Sequence, residues 1–165
     1  EPSAILGFRD EYPNLVASKD KSTALKLSNN VLLIDEFISQ EIDKGHIVSR
    51  SFISEEKKIL LHGHCHQKAL SSISHTEKIL SLPVNYSVKT IPSGCCGMAG
   101  SFGYEKEHFK LSNKIGEMVL FPAIRQTNGT TFIAAPGTSC RHQIKDGTKK
   151  IALHPVEILF NALSN

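Results

Sequence analysis

Four short apolar runs, each ending in a loop of small or chemically reactive residues, set the strongest limit on how this chain can fold. They span 57–64, 85–91, 131–135 and 150–153. Helix-like stretches separate them, at 65–70, 74–82 and 104–126, and another opens at His154-Pro155. Strands that alternate with helices of this length predict an α/β fold, mainly a parallel sheet with crossover helices. In such sheets, sites form outside the carboxyl ends of the strands. Cys65, the adjacent pair Cys95-Cys96, Cys140 and His154 each follow a strand end. Four separate segments therefore deliver reactive side chains to one edge of the sheet, where a metal site is expected.

The cysteines are the candidate ligands. Twenty-nine residues separate Cys65 from Cys95, and forty-three separate Cys96 from Cys140. Zinc ribbons and fingers rely on closely spaced ligand pairs, so these gaps do not fit them. Neighbouring thiolates hold a single ion only through a cramped chelate ring, whereas they can reach different irons of a cluster. Gly94, Gly97, Gly100 and Gly103 surround the pair and let backbone N–H groups approach cluster sulfurs. Ordinary buried thiols and a vicinal disulfide are the alternatives. With no secretory signal in the sequence, metal or redox use is favoured over a disulfide framework.

Histidines gather at the same loops. His62, His64 and His66 bracket Cys65, His142 follows Cys140, and His154 begins the last helix. His62 and His64 share a strand face. Each histidine could be a ligand, a hydrogen-bond donor or a proton carrier, or a core residue satisfied by backbone. His66 and His142, which adjoin cysteines, are the stronger candidates. Arg141 either offsets cluster charge or pairs with a carboxylate. His46, His75 and His108 are expected at the surface.

The first third reads as helix. An amphipathic stretch over 24–41 offers Leu25, Leu27, Val31, Leu32, Ile34, Phe37 and Ile38 as core positions, and Gly45 ends it. In the helix over 104–126, Leu111, Ile115, Met118, Val119 and Ala123 recur at helical spacing, and Pro122 predicts a kink or break. A faint internal repeat also runs through the chain. Pro2-Ser3-Ala4 and Arg9 echo Pro136 to Cys140 and Arg141, and Leu33-Ile34-Asp35-Glu36 echoes Leu153 to Glu157.

Bulk properties exclude several classes. The 19 basic residues are scattered and the net charge is +3, so nucleic acid is not an expected partner. No run approaches the roughly 20 apolar residues of a membrane span. Glu1 follows no initiator Met and enters ordered-looking sequence at once, which predicts a segment of a longer polypeptide.

Three motifs carry a family resemblance. They are His62-Gly63-His64-Cys65-His66-Gln67-Lys68-Ala69-Leu70, Ser93-Gly94-Cys95-Cys96-Gly97-Met98-Ala99-Gly100 and Pro136-Gly137-Thr138-Ser139-Cys140-Arg141-His142-Gln143. Together they resemble a cysteine-rich CCG domain. This is the iron–sulfur part at the C-terminus of fused FAD-linked 2-hydroxyacid dehydrogenases of the D-lactate, glycolate and D-2-hydroxyglutarate types. The CCG-bearing subunit of heterodisulfide reductase is a more distant likeness. The resemblance implies an iron–sulfur cluster, of 4Fe-4S type, on Cys65, Cys95, Cys96 and Cys140. His64, His66, His142, His154, Gly97 and Arg141 would lie at or near it. It implies electron transfer from an FAD-bearing dehydrogenase domain outside this chain to a downstream carrier or quinone. The chain alone would not turn over substrate, and a zinc-binding or metal-free docking module is the alternative. Residues 1–50 would be the helical tail of a truncated first repeat and 51–165 a complete second repeat. The implied location is cytoplasmic, with peripheral inner-membrane attachment as an option. Two positions depart from the pattern: Gln143 stands where a further cysteine is expected, and Ala4 where the first repeat would carry one.

Overall fold

The computed structural model describes residues 1–164. Helices α1 (Pro2–Gly7), α2 (Tyr12–Leu15), α3 (Lys21–Asn30) and α4 (Ile34–Asp43) form the first third. There follow β1 (Lys57–Leu61), α5 (Cys65–Leu70), α6 (Ser74–Leu80), β2 (Tyr86–Thr90), α7 (Phe109–Met118) and α8 (Leu120–Arg125). The chain closes with β3 (Thr131–Ala134), α9 (Thr138–Thr148), β4 (Ala152–Leu153) and α10 (Pro155–Phe160).

The strands pair in parallel in the order β2-β1-β3-β4, with Ile59 opposite both Val88 and Phe132. This is the α/β architecture that the alternating runs predict. Side chains of successive strand residues point to opposite faces, and the core divides accordingly. Ile59, Leu61 and Ala134 pack with Ile79, Leu80, Ile158 and Leu159 on one face. Leu60 and Ile133 meet Leu120, Phe121, Ile124 and Ile144 on the other. The connection after β1 returns to β2, and the one after β2 crosses to β3 on the opposite side of β1. The loops leaving β1 and β3 therefore diverge, and a crevice opens between them at the carboxyl ends.

Both long helices expected from the sequence are broken. The stretch over 24–41 divides into α3 and α4, with extended backbone at Val31 and Leu33. The stretch over 104–126 begins only at Phe109 and divides at Val119, which leaves helical geometry at φ −145°. The break falls three residues before Pro122. A proline has no N–H for the preceding turn and crowds it, so Pro122 sits in the first turn of α8 instead.

The expected core faces of these helices are also corrected. Leu25, Leu27, Leu32, Ile34 and Phe37 are exposed, and only Ile38 packs against the core. The buried face of α4 is polar. Asp35 accepts from Gln67 Nε2 at 2.8 Å and from Thr76 Oγ1. Glu36 accepts from both terminal nitrogens of Arg9, from Ser71 Oγ and from the Leu33 N–H. Burial pushes the Glu36 carboxyl up, but Arg9, Ser71 and the Leu33 N–H outweigh it and hold it below its ordinary range. Hydrogen-bonded carboxylates thus dock the first third onto α5 and α6.

In α7, Leu111 and Met118 are 51% and 75% exposed, while Ser112 and Gly116 face inward. The fully buried ring of Phe121 lies where side chains on Gly116 and Gly147 would stand, at 2.8 Å from its Cε1 in both cases. Small residues let α7 and α9 close on that ring. Gly45 ends α4 as expected, at φ +75°, donating its N–H to the Ile42 carbonyl at 2.9 Å.

Candidate metal centre

The cysteines reach the crevice from three different segments. Cys65 is the first residue of α5, Cys95 and Cys96 lie in the loop after β2, and Cys140 is in the first turn of α9. All four are free thiols, and they line one cavity of about 270 Å³ together with Ser3, His64, His66, Ala99, Gly100 and Ser139. Cys65 is exposed and Cys95 half-buried, whereas Cys96 and Cys140 are buried.

The thiols adjoin one another in series, and each shifts the acidity of its neighbour. The neighbouring Cys65 thiol, then Cys96, pull Cys95 far below the ordinary thiol range, and the Gly97 N–H adds to the effect against burial. Cys96 does the same for Cys140. Burial opposes it, but the Cys96 contact and His62 prevail and leave Cys140 at about 5. Cys65 and Cys96 are raised in turn, Cys65 by Cys95 first and Cys96 by Cys140 first.

Local structure holds this set open. Gly97 has φ +100°, and its N–H points to Cys95 Sγ at 3.3 Å. A Cβ there would meet the Ser112 backbone and stand 3.1 Å from Gln143 Nε2. Lys68 Nζ donates to the carbonyls of Ser93 and Gly94, at 2.5 and 2.7 Å, and ties the cysteine loop to α5. A Cβ on Gly137 would collide with the His64 ring and reach 3.1 Å from Cys140 Sγ.

The histidines divide differently from the expectation. His142 is outside the cavity, its Nδ1 paired with Tyr104 Oη at 2.7 Å. His154 is the N-cap of α10 and accepts from the Val156 N–H at 3.2 Å. His64 plays the same part for α5, accepting from the His66 N–H at 3.2 Å. Both rings use Nδ1 as acceptor, which places the proton of the neutral ring on Nε2. Burial, before any other cause, lowers both. His64 and His66 line the cavity. His62 is the histidine set among the thiols: one of its ring nitrogens, Cys96 Sγ and Cys140 Sγ lie within 4.8 Å of one another. Adjacency in sequence favoured His66 and His142, but in the helix that carries Cys140 the residue two places on points away from it.

Arg141 does not face the thiols. It donates to the carbonyls of Ala135 and Pro136, at 3.0 and 2.8 Å, and to Thr138 Oγ1. Gln143 is buried and donates to the carbonyl and hydroxyl of Ser112, so it locks α9 to α7. Glu1 Oε2 accepts the Thr138 N–H at 2.7 Å. Burial raises the Glu1 carboxyl, but the bonds from Thr138 and Ser3 prevail and bring it to about 2. Lys68 and Ser93 carried no signal in the sequence beyond their position in the motifs. Of the surface histidines, His46 is exposed, while His75 and His108 are half-buried.

The chain is similar to parts of oxidoreductases. It is 26% identical over 157 residues to a subunit of the anaerobic glycerol-3-phosphate dehydrogenase of Escherichia coli, covering 95% of this chain and 38% of that protein. It is 26% identical over 168 aligned positions to D-2-hydroxyglutarate dehydrogenase of Haemophilus influenzae, covering 99% of this chain and 16% of that protein. The D-2-hydroxyglutarate dehydrogenase of Escherichia coli is also 26% identical, with 99% of this chain and 15% of that protein covered. The chain therefore spans well under half the length of these curated relatives. No family model matches it, and no solved structure does. Among the described residues, no helix is long and apolar enough to cross a membrane.

Proposed function

We propose that this chain is the iron–sulfur electron-transfer domain, of the CCG type, of an FAD-linked dehydrogenase. The observation that carries the reading is the convergence of four free cysteines, from three separate segments, on one cavity. The donor set fits the group. A cavity of about 270 Å³ greatly exceeds the ~10–15 Å³ that a single water-sized occupant needs. A 4Fe-4S cluster would supply one-electron redox chemistry there.

Cys65, Cys95, Cys96 and Cys140 would hold it. Gly97 lends its N–H to the sulfur side, and Lys68 fixes the loop. The outer pair, Cys65 and Cys95, opens the site towards a partner, and the buried pair anchors it in the core. The partner would be a flavin domain that oxidises a 2-hydroxyacid, or glycerol 3-phosphate as the name of one relative indicates. Electrons would leave to a downstream carrier or quinone, in the cytoplasm or peripherally at the inner membrane. In this reading residues 1–50 are the tail of a first repeat and 51–165 a second. The matched ends support it: the Leu33 N–H donates to Glu36 at 2.8 Å, and the His154 N–H to Glu157 at 2.6 Å.

A second reading is a single zinc ion, favoured by the mutual closeness of His62, Cys96 and Cys140. Anaerobic reconstitution with iron and sulfide, followed by absorption and EPR spectra, separates the two. Iron and sulfide bound together, and lost in Cys95→Ala and Cys140→Ala, is the expected result. Sulfide near zero with tightly retained zinc would refute the cluster.

A further inference from the structure

We infer that His62 is a metal ligand through Nε2, a nitrogen donor beside the sulfurs of Cys96 and Cys140. The inference rests on the reading that this cavity holds a metal group, and it concerns which protein atoms hold it. His62 is completely buried, at 0% exposure, at the carboxyl end of β1. Its Nε2 has no hydrogen-bond partner of normal geometry, while Nδ1 is bonded to Ser93 Oγ at 2.8 Å. A buried polar atom left unpaired costs about 1–3 kcal/mol, so a fold that buries one needs a reason.

The surroundings supply that reason. A ring nitrogen of His62 and the two Sγ atoms lie mutually within 4.8 Å, and with Nδ1 taken by Ser93 the nitrogen left for a metal is Nε2. That spacing lets them contract onto a common metal group with bonds of roughly 2.0–2.3 Å. Ser93 then takes the usual place of an outer partner: Nδ1–H donates to its hydroxyl, which fixes the tautomer and turns the Nε2 lone pair towards the sulfurs. Ser93 is itself buried, and its carbonyl is gripped by Lys68. The ring is thus oriented by a chain of contacts that ends on the cysteine loop. Gln143, one helical turn beyond Cys140, holds its amide nitrogen on Ser112.

Pulsed EPR on the 165-residue chain tests this after anaerobic reconstitution with iron and sulfide and one-electron reduction. The expected spectrum contains a 14N coupling that changes to a 15N pattern when histidine alone is labelled. That measurement needs no variant. The coupling should vanish in His62→Gln and persist in His66→Gln. A reconstituted cluster with no histidine coupling, or with one that survives His62→Gln, overturns the inference. Co2+ titration of the metal-free chain, followed by its sulfur-to-cobalt absorption, tests the same ligand without cluster assembly. Ser93→Ala should weaken Co2+ binding about 10–100-fold and His62→Gln at least as much. Equal Co2+ affinity in wild type and His62→Gln counts against the ligand. Failure to take up iron and sulfide, with Co2+ binding lost in His62→Gln, would sink the iron–sulfur reading and leave His62 in place.

Discussion

Replacing Gly97 by alanine should cost this protein both stability and metal capture. Two separate penalties combine at that position. The backbone has φ +100°, where an L side chain suffers steric strain of about 1–2 kcal/mol. The added methyl would also stand 3.0 Å from the Ser112 carbonyl carbon, closer still to its oxygen, and 3.1 Å from Gln143 Nε2. The Ser112 carbonyl belongs to the helical backbone of α7 and cannot move alone, so the loop must shift, at about 1–3 kcal/mol for overpacking. The sum is about 2–5 kcal/mol. Urea unfolding followed by circular dichroism reads it as a lower midpoint at unchanged slope. The shifted loop carries Cys95 and Cys96, so iron bound per chain after reconstitution should fall with it. Gly94→Ala is the control, because a Cβ there meets nothing within 4 Å and the backbone is not left-handed. Its stability should change by less than about 0.5 kcal/mol. Equal midpoints for Gly97→Ala and Gly94→Ala would refute the packing argument.

Three further outcomes are expected. Gly116→Ala forces the Phe121 ring out of its slot and should destabilise by about 1–3 kcal/mol, lowering Tm by several degrees in a calorimetric scan. Asp35→Ala leaves Thr76 Oγ1 without its acceptor in a buried place and removes one of the acceptors of Gln67 Nε2. A loss of about 1–3 kcal/mol should appear in urea melts, and Asp35→Asn should recover part of it. Glu36 has a folded pKa below its unfolded value of 4.5. Its contribution is therefore complete above pH 4.5 and is lost as pH falls through the lower folded value. Glu36→Gln should flatten that part of the stability-against-pH curve, and an unchanged acid limb would contradict the role given to the Arg9 pair.

The helices show why periodicity alone misplaces a face. In α7 the spacing of Leu111, Ile115 and Met118 marks an apolar stripe, but a stripe does not say which neighbour exists to cover it. The neighbours are the Phe121 ring, which fits only against a residue as small as Gly116, and Gln143, which bonds to Ser112, so Ser112 and Gly116 turn inward and Leu111 and Met118 turn out. In α4 the same reversal has an electrostatic cause. Asp35 and Glu36 find donors on Gln67, Thr76, Arg9 and Ser71, and these contacts come from segments up to 41 residues away.

The parallel α/β order and the delivery of Cys65, Cys95, Cys96 and Cys140 to the strand ends were legible in the sequence. Both follow from local rules: the run length of apolar residues, the turn residues after them, and the carboxyl-end geometry of parallel sheets. Which histidine joins the thiols was not legible, because it depends on how distant segments pack. His142 lies two residues from Cys140 in the chain, yet the helix turns it out to Tyr104. His62 is 34 and 78 residues from Cys96 and Cys140, and the pairing of β1 with β2 and β3 brings its imidazole close to both. Distance along the chain does not measure distance in a sheet, because strand pairing joins segments whose separation in sequence is arbitrary.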